Sequence, residues 1–316
     1  MTVPLFSYRF QLLHQSQFMS HDIISRMITE VGKPAVTVII PAYNEEENIG
    51  ELINQINGLG KGYEVLVVDD ASTDRTAEIA RSVSAVVITH PYNKGNGASV
   101  KTGMRNAKGD YIVIIDGDGQ HDPNDIPRLV ENLNRYDLVV GARTKGSETL
   151  FHRSFGNWVF NAFASLVAGC RIPDLTSGFR AMSKEIAMEF IHMFPNGFSL
   201  PSTSTMAVIT AGYNIKYVPI KIRHRKGKSK IRPLQDGLRF LVIIVRVAVY
   251  FKPLRVFLPI GLIIFAMFIG STIWYHQNRD RAIQPYNVML FLSSLFVFLF
   301  GLISEQIANL RFTLRK

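Results

Sequence analysis

Asp116 and Asp118 stand two positions apart at the end of an apolar run, YIVIIDGDGQHDP over residues 111–123. Residues i and i+2 of an extended chain face the same way, so the two carboxylates share a side. Charges that close raise each other's pKa unless a cation lies between them. Carboxylate and carbonyl oxygens suit Mg2+ or Mn2+, ions that also bind phosphate oxygens. Gly117 and Gly119 permit a sharp turn and close backbone approach. The chemistry this spacing suits is a divalent cation joined to a diphosphate. A solvated turn without a ligand is the plainer alternative.

The elements that must carry these acids alternate. AVTVII from Ala35, EVLVVD from Glu64, AVVITH from Ala85, YIVIID from Tyr111 and DLVVG from Asp137 are apolar, β-branched runs that predict buried strands. Between them the pattern predicts helices over Glu46–Ile56, Thr73–Ser82 with Ser72 as cap, Asn96–Ala107 and one opened by Pro123. Such alternation means an α/β fold, a mostly parallel sheet with helices on both faces. Ligands of such sheets lie beyond the carboxyl ends of the strands, where PAYNEEE, DDAST, NKGNGA, DGDGQ and GAR all fall. The glycines and helix start of NKGNGAS offer a weak phosphate cradle.

The 316 residues are 47% apolar and 19% charged, which excludes a disordered chain. The single cysteine, Cys170, excludes an internal disulfide and is expected in the core. Lys221–Arg255 holds eleven Lys or Arg against Asp236, which equals the whole net charge of +10. Clustered charge beside apolar runs points to anionic lipid or a phosphorylated ligand, not to nucleic acid. Val256–Tyr275 and Ala282–Ser304 carry no charge over 20 and 23 residues, roughly the 30 Å of a bilayer core. Arg246, Lys252 and Arg255 precede the first run, and Arg311, Arg315 and Lys316 follow the second. This bias predicts a two-span membrane hairpin with the larger domain and both termini cytoplasmic. The first 30 residues carry no apolar run of signal-peptide length and read as an extension, with Met19 and Met27 as alternative starts.

VIIPAYNEEENI, VLVVDDASTDRT, NKGNGASVKTG, GDYIVIIDGDGQHDP, GAR and DLTSGFRAM together resemble glycosyltransferase family 2. The Asp-x-Asp-x-Gln-His form and the paired spans are most similar to its polyprenyl-phosphate glycosyltransferases, relatives of dolichol-phosphate mannose synthase. The resemblance implies a GT-A-type catalytic domain over 35–232 after an extension at 1–34. Interfacial helices at 233–255 and a transmembrane hairpin at 256–316, with spans near 256–275 and 284–304, would follow. It implies that Pro41, Tyr43, Glu45, Val68 and Asp70 hold base and ribose. Asp116, Gly117, Asp118 and Gln120 would hold the diphosphate, with Asp116, Asp118 and Gln120 as ligands of Mg2+ or Mn2+. Arg143 and Arg153 match phosphate-binding arginines, and Arg180, in the SGFR element, is implied to bind substrate; each has a surface cation as alternative. Lys230, with Arg223 or Arg225, matches a basic loop over the donor. Near Thr203, mannose-specific relatives carry a glutamate where this chain has only hydroxyls, so mannose is not implied.

The implied reaction is inverting transfer of a sugar from a UDP- or GDP-linked donor to a polyprenyl or dolichyl phosphate at the cytoplasmic face. Asp118, Arg143 and Lys230 are the expected catalytic residues. No carboxylate base is evident, and a phosphate acceptor, already largely a dianion near pH 7, needs none. The expected partners are the nucleotide-sugar, the lipid phosphate and membrane lipids; homo-oligomers are left open. The apolar segment 153–169 and Phe240–Phe251 either lodge an isoprenoid tail or pack on the sheet. A processive polysaccharide synthase, a non-catalytic adaptor and a receiver-like signalling domain are the competing readings.

Overall fold

The computed structural model describes residues 35–60, 62–144, 151–197, 199–222, 249–278 and 284–313, with backbone alone for 151–157, 159 and 311–313. In chain order the elements are β1 Val36–Ala42, α1 Ile49–Asn57, β2 Tyr63–Asp69, α2 Thr76–Ser82, β3 Val86–Thr89 and α3 Asn96–Asn106. Then come β4 Tyr111–Ile114, α4 Ile126–Glu131, β5 Leu138–Arg143, α5 Phe151–Ala168, β6 Arg180–Ser183 and α6 Lys184–Phe190. Last are α7 Leu200–Thr210, β7 Ile215–Ile220, α8 Leu254–Asn278 and α9 Pro285–Thr313.

The seven strands form one sheet in the order β3-β2-β1-β4-β6-β5-β7. All neighbours are parallel except β6, which runs against both β4 and β5. Side chains alternate across the sheet, as a period of two requires. Ile39, Ile112, Ile114, Leu138 and Val140 enter one apolar cluster with α3, α5, α6 and α7. Val38, Ile40, Val113, Ile115 and Val139 enter the other, with α1 and α4. Helix α1 contributes Ile49, Leu52, Ile53 and Ile56, one face of a helix at i, i+3, i+4, i+7. The chain order turns back between β1 and β4, so a crevice opens where the ends of these two strands diverge, and Asp116 follows β4 there.

Three expectations differ from the structure. Ser72 does not cap α2; its Oγ accepts from Asn44 N at 3.0 Å, and the helix starts at Thr76. The Asp74 carboxylate, bonded to Thr76 N at 2.9 Å, holds the intervening residues in a turn. Cys170 is exposed, because Gly169 takes a left-handed φ of +76° and ends α5 before the cysteine can face the core. Helix α3 offers little to a phosphate, since Ala98 N donates to Asn196 O at 3.0 Å.

Helices α8 and α9 are long and apolar enough to cross a membrane, and their large apolar side chains, among them Leu262, Ile263, Phe296 and Phe300, face outward. They are therefore not core helices of a water-soluble domain. A Cβ on Gly301 would lie 2.8 Å from Phe257 Cβ, so the pair approaches closely at a small residue. Asn287, 1% exposed, accepts from Ser271 Oγ at 2.7 Å, and Glu305 Oε2 accepts from Leu254 N at 3.1 Å at the head of α8.

Candidate active site

Asp116, Gly117, Asp118 and Gln120 follow β4 at the crevice. Gly117 lies over β1: a Cβ there would stand 3.3 Å from the Pro41 carbonyl oxygen. Gly119 has φ +69°, the turn that sends the chain away. Asp118 Oδ1 accepts from Gln120 N at 3.2 Å, which orients the carboxylate. Asp122 caps the next turn, accepting from Asn124 N at 3.0 Å ahead of Pro123. Gly178 presses its backbone against the Asp116 carboxylate, with no room for a side chain between them. Among the described residues no third His, Cys, Asp or Glu completes an all-protein metal cage. Two carboxylates and an amide are an oxygen donor set that fits Mg2+ or Mn2+ and leaves further positions to substrate oxygens.

The loops after β1 and β2 are stitched together. Besides the Ser72 contact, Asn44 Oδ1 accepts from Thr73 N at 2.8 Å, and Glu45 N donates to Thr76 Oγ1 at 2.8 Å. Asn44 and Ala71 both have positive φ, 55° and 62°. Such strain in non-glycine residues marks a surface whose shape is enforced by its surroundings. Tyr43 projects from this surface, 47% exposed, with Glu45 beside it. Pro41 and Val68 are instead paired within the sheet and buried, so they form the floor through the backbone.

Asp70 is 3% exposed and already has three protein donors. It accepts from His90 Nδ1 at 2.7 Å, Lys94 N at 2.9 Å and Gly95 N at 2.8 Å. Burial alone would push its carboxyl up; these donors hold it below the usual carboxylate range. His90 Nε2 in turn shares a hydrogen bond with Thr102 Oγ1 at 2.9 Å. Asp70 thus shapes the turn after β3, and His90 is a residue that the motif reading passed over.

Arg143, at the end of β5, is gripped by Asp174. Arg143 Nε donates to Asp174 Oδ2 at 2.7 Å and Nη2 to Oδ1 at 2.8 Å. Nη2 also donates to Thr176 Oγ1. Arg180 behaves differently. It is fully buried, and Nη1 donates to Pro201 O at 2.8 Å and Ser204 Oγ at 2.5 Å, while Nη2 donates to Ser177 O. Burial lowers its pKa to about 10, opposed by Tyr217, Asp174 and Asp116. Arg180 is therefore an interior cation behind Asp116, not a surface one; both Nη groups bond to the protein, while the buried Nε has no hydrogen-bond partner among the described residues. The Ser204 and Thr205 hydroxyls of α7 are among the groups that receive it.

His121 is buried against Phe179, ring centroids 5.2 Å apart, and burial brings its pKa to about 4 despite the nearby Asp118. Its backbone bridges to Ile222. Arg153 lies on α5, described there by backbone alone. Arg223, Arg225 and Lys230 lie outside the described residues, as do residues 240–248 of the expected interfacial helix.

Residues 37–191 match the family model for glycosyl transferase family 2, and residues 252–310 match that of the GtrB C-terminal hairpin. The chain is 33% identical over 205 residues to an uncharacterised protein of Methanocaldococcus jannaschii, covering 61% of this chain and 84% of that one. It is 33% identical over 224 residues to the dolichyl-phosphate hexose transferase of Haloferax volcanii, covering 70% of this chain and 96% of that one. With the dolichol-phosphate mannosyltransferase of Pyrococcus furiosus it shares 34% over 213 residues, 62% of this chain but only 59% of that enzyme. Among solved structures, glucosyl-3-phosphoglycerate synthase of Mycobacterium tuberculosis, in complex with Mn2+ and UDP-glucose, superposes with a TM-score of 0.58. At 21% identity, covering 74% of this chain and 85% of that one, this likeness speaks for the fold alone. The sheet, the acidic end of β4 and these matches define a glycosyltransferase of GT-A type. The chain belongs to glycosyltransferase family 2 and ends in a GtrB-type membrane hairpin.

Proposed function

We propose that this chain moves a sugar from a UDP- or GDP-linked donor to a polyprenyl phosphate, with inversion, at the cytoplasmic face of the membrane. The observation that carries the reading is the union of an acidic strand end and a rigidly held arginine with a hairpin bolted to the same domain. Arg255, in the first turn of α8, donates to the carbonyls of Leu166 and Val167 of α5 at 3.1 and 2.7 Å. The relatives named for dolichyl-phosphate transfer support the class of acceptor.

In this reading Tyr43 stacks on the base, and Glu45 accepts from base or ribose. Pro41, Val68 and Asp70 shape the surface beneath them. Asp116, Asp118 and Gln120 would hold Mg2+ or Mn2+, which neutralises charge gathering on the departing nucleoside diphosphate. Arg143, with two donors fixed on Asp174 and Thr176, keeps Nη1 for a phosphate oxygen. Arg153 and the basic segment, Arg223, Arg225 and Lys230, would supply further positive charge to the diphosphate. That segment begins at the residue after Ile222, which is bridged to His121 of the acidic motif. A phosphate oxygen of the acceptor attacks the anomeric carbon, the bond from that carbon to the diphosphate breaks, and no proton has to be removed. The basic flanks of both apolar helices support the cytoplasmic side.

The deciding assay incubates membranes holding the protein with polyprenyl phosphate and radiolabelled UDP- and GDP-sugars in turn. Label entering an organic-extractable, acid-labile lipid with one donor is the expected result. Label entering only lipid alcohols or free glycans, or no transfer from any donor, overturns the reading.

A further inference from the structure

Burying a guanidinium is costly, and Arg180 is 0% exposed. Its two Nη groups reach neutral oxygens: Pro201 O, Ser204 Oγ and Thr205 Oγ1 from Nη1, and Ser177 O from Nη2. Such bonds hold the group in place without cancelling its charge, and a guanidinium keeps its proton in a protein. The charge therefore acts on the acids that lie near it.

The strand register picks out Asp116. β4 and β6 are antiparallel, with Ile114 opposite Arg180. A step forward along β4 is a step back along β6, so Asp116, two residues on, comes opposite Gly178. Opposed residues share a face, as do residues two apart, which puts Asp116 on the side of Arg180. The Asp116 carboxylate occupies the space that a Gly178 side chain would need. Arg180 turns back toward the same point, since Nη2 ends on the carbonyl of Ser177, the residue before Gly178. Burial lowers the Arg180 pKa, and Asp174 and Asp116 are among the groups that oppose this. Asp174 already answers to Arg143, so the charge of Arg180 falls on Asp116.

We propose that Arg180 is a positioning residue that keeps the affinity of the acidic strand end for a divalent cation low, so that the cation is held tightly only together with the diphosphate of the donor. Its role rests on the reading of Asp116 and Asp118 as ligands of that ion. Arg180 offsets one of the two carboxylate charges, and a diphosphate supplies that charge again from the open side. The buried cation also lets the two acids stand together in the free protein, where their repulsion is otherwise unopposed. This goes beyond the proposed reaction, because it concerns how the ion is held before any transfer, whichever sugar is carried.

Mn2+ binding to the full-length protein in detergent, read from the EPR signal of the free ion, tests this without turnover. The unaltered chain should bind Mn2+ weakly alone and about tenfold more tightly with UDP or GDP present. Arg180→Gln should bind Mn2+ about tenfold more tightly than the unaltered chain when no nucleotide is present. Arg180→Lys, which keeps the charge, should stay near the unaltered chain. A merely structural role predicts the opposite sign, since a loosened site holds metal less well. Ser177→Asp is the second variant, in case Arg180→Gln does not fold. Ser177 Oγ and Arg180 Nε are buried and have no hydrogen-bond partner among the described residues, so the added carboxylate is free to pair with the guanidinium. Ser177→Asp should tighten Mn2+ binding as Arg180→Gln does, and Ser177→Asn should not. Unchanged or weaker binding in either variant that folds overturns the proposal; where Asp118→Ala abolishes the binding, the metal assignment stands without it. Mn2+ binding that survives Asp118→Ala overturns the assignment and the proposal together.

Discussion

Arg143 and Asp174 meet through two parallel hydrogen bonds across 31 residues of chain, the carboxylate almost wholly buried and the guanidinium partly open. Such a pair fixes a planar cation in position and angle, which a lone surface arginine cannot do. Arg143→Ala should lower kcat about 100- to 1000-fold, the cost of losing one group that meets developing charge. Asp174→Asn keeps the shape but loses the charge, and should lower kcat about 10- to 100-fold with little change in donor KM. Initial rates in vesicles decide this; equal effects on KM and kcat would mean general damage.

The same pair sets an acid limit. Burial would raise the Asp174 carboxyl, but Arg143 and the backbone at Thr176 hold it below its ordinary value. A depressed folded pKa gives stability that is complete above the unfolded value of about 4 and is lost as pH falls through the folded one. The unfolding midpoint in detergent should therefore be level above about pH 5 and drop below about pH 4. Asp174→Asn should start lower and fall less steeply.

Removing the divalent ion should silence the protein reversibly. EDTA is expected to abolish transfer, and added Mn2+ or Mg2+ to restore it. Asp118→Ala should abolish transfer at any metal concentration. Full activity in either case contradicts the assignment of the acids.

Gly178→Ala drives a methyl group into the Asp116 carboxylate. The expected outcome is a folded protein whose activity needs a higher Mn2+ concentration, read from metal titrations of rate beside an unchanged unfolding midpoint.

Arg180→Ala should act on stability before chemistry. It empties a large buried volume and strands the Ser177 and Pro201 carbonyls, at a cost of roughly 3–5 kcal/mol. Denaturant midpoints in detergent would show it.

Much of this was open to reading in the chain. β1, β2 and β4 are β-branched runs buried on both faces, and that pattern has few other meanings. The acids after β4 declare themselves because like charges so close need a cause. β6 and β7 carried no such signal. β6 has four residues and opens with Arg180, which reads as a functional cation in sequence and is interior only because α7 folds its hydroxyls over it. β7 contains Pro219, tolerated because the strand lies at the sheet edge. The Arg143–Asp174 pair spans distant motifs, and no local pattern encodes it. Asp70 looked like a ligand group for the same reason it serves as a hub: a carboxylate accepts from any donor, and the three that reach it come from residues 90–95.

The antiparallel β6 carries a consequence for how the protein comes to be. β3, β2, β1 and β4 are joined by short crossovers and their pairing is complete by residue 114, so half of the sheet can assemble while the rest is still leaving the ribosome. The far side waits for one reversed strand. β6 is the piece that closes the gap between β4 and β5, and with it arrive Gly178 behind Asp116 and the Asp174 loop beside Arg143. A chain arrested before residue 174 would hold the acids but lack the wall that frames them, so competence for sugar transfer is gained late in synthesis.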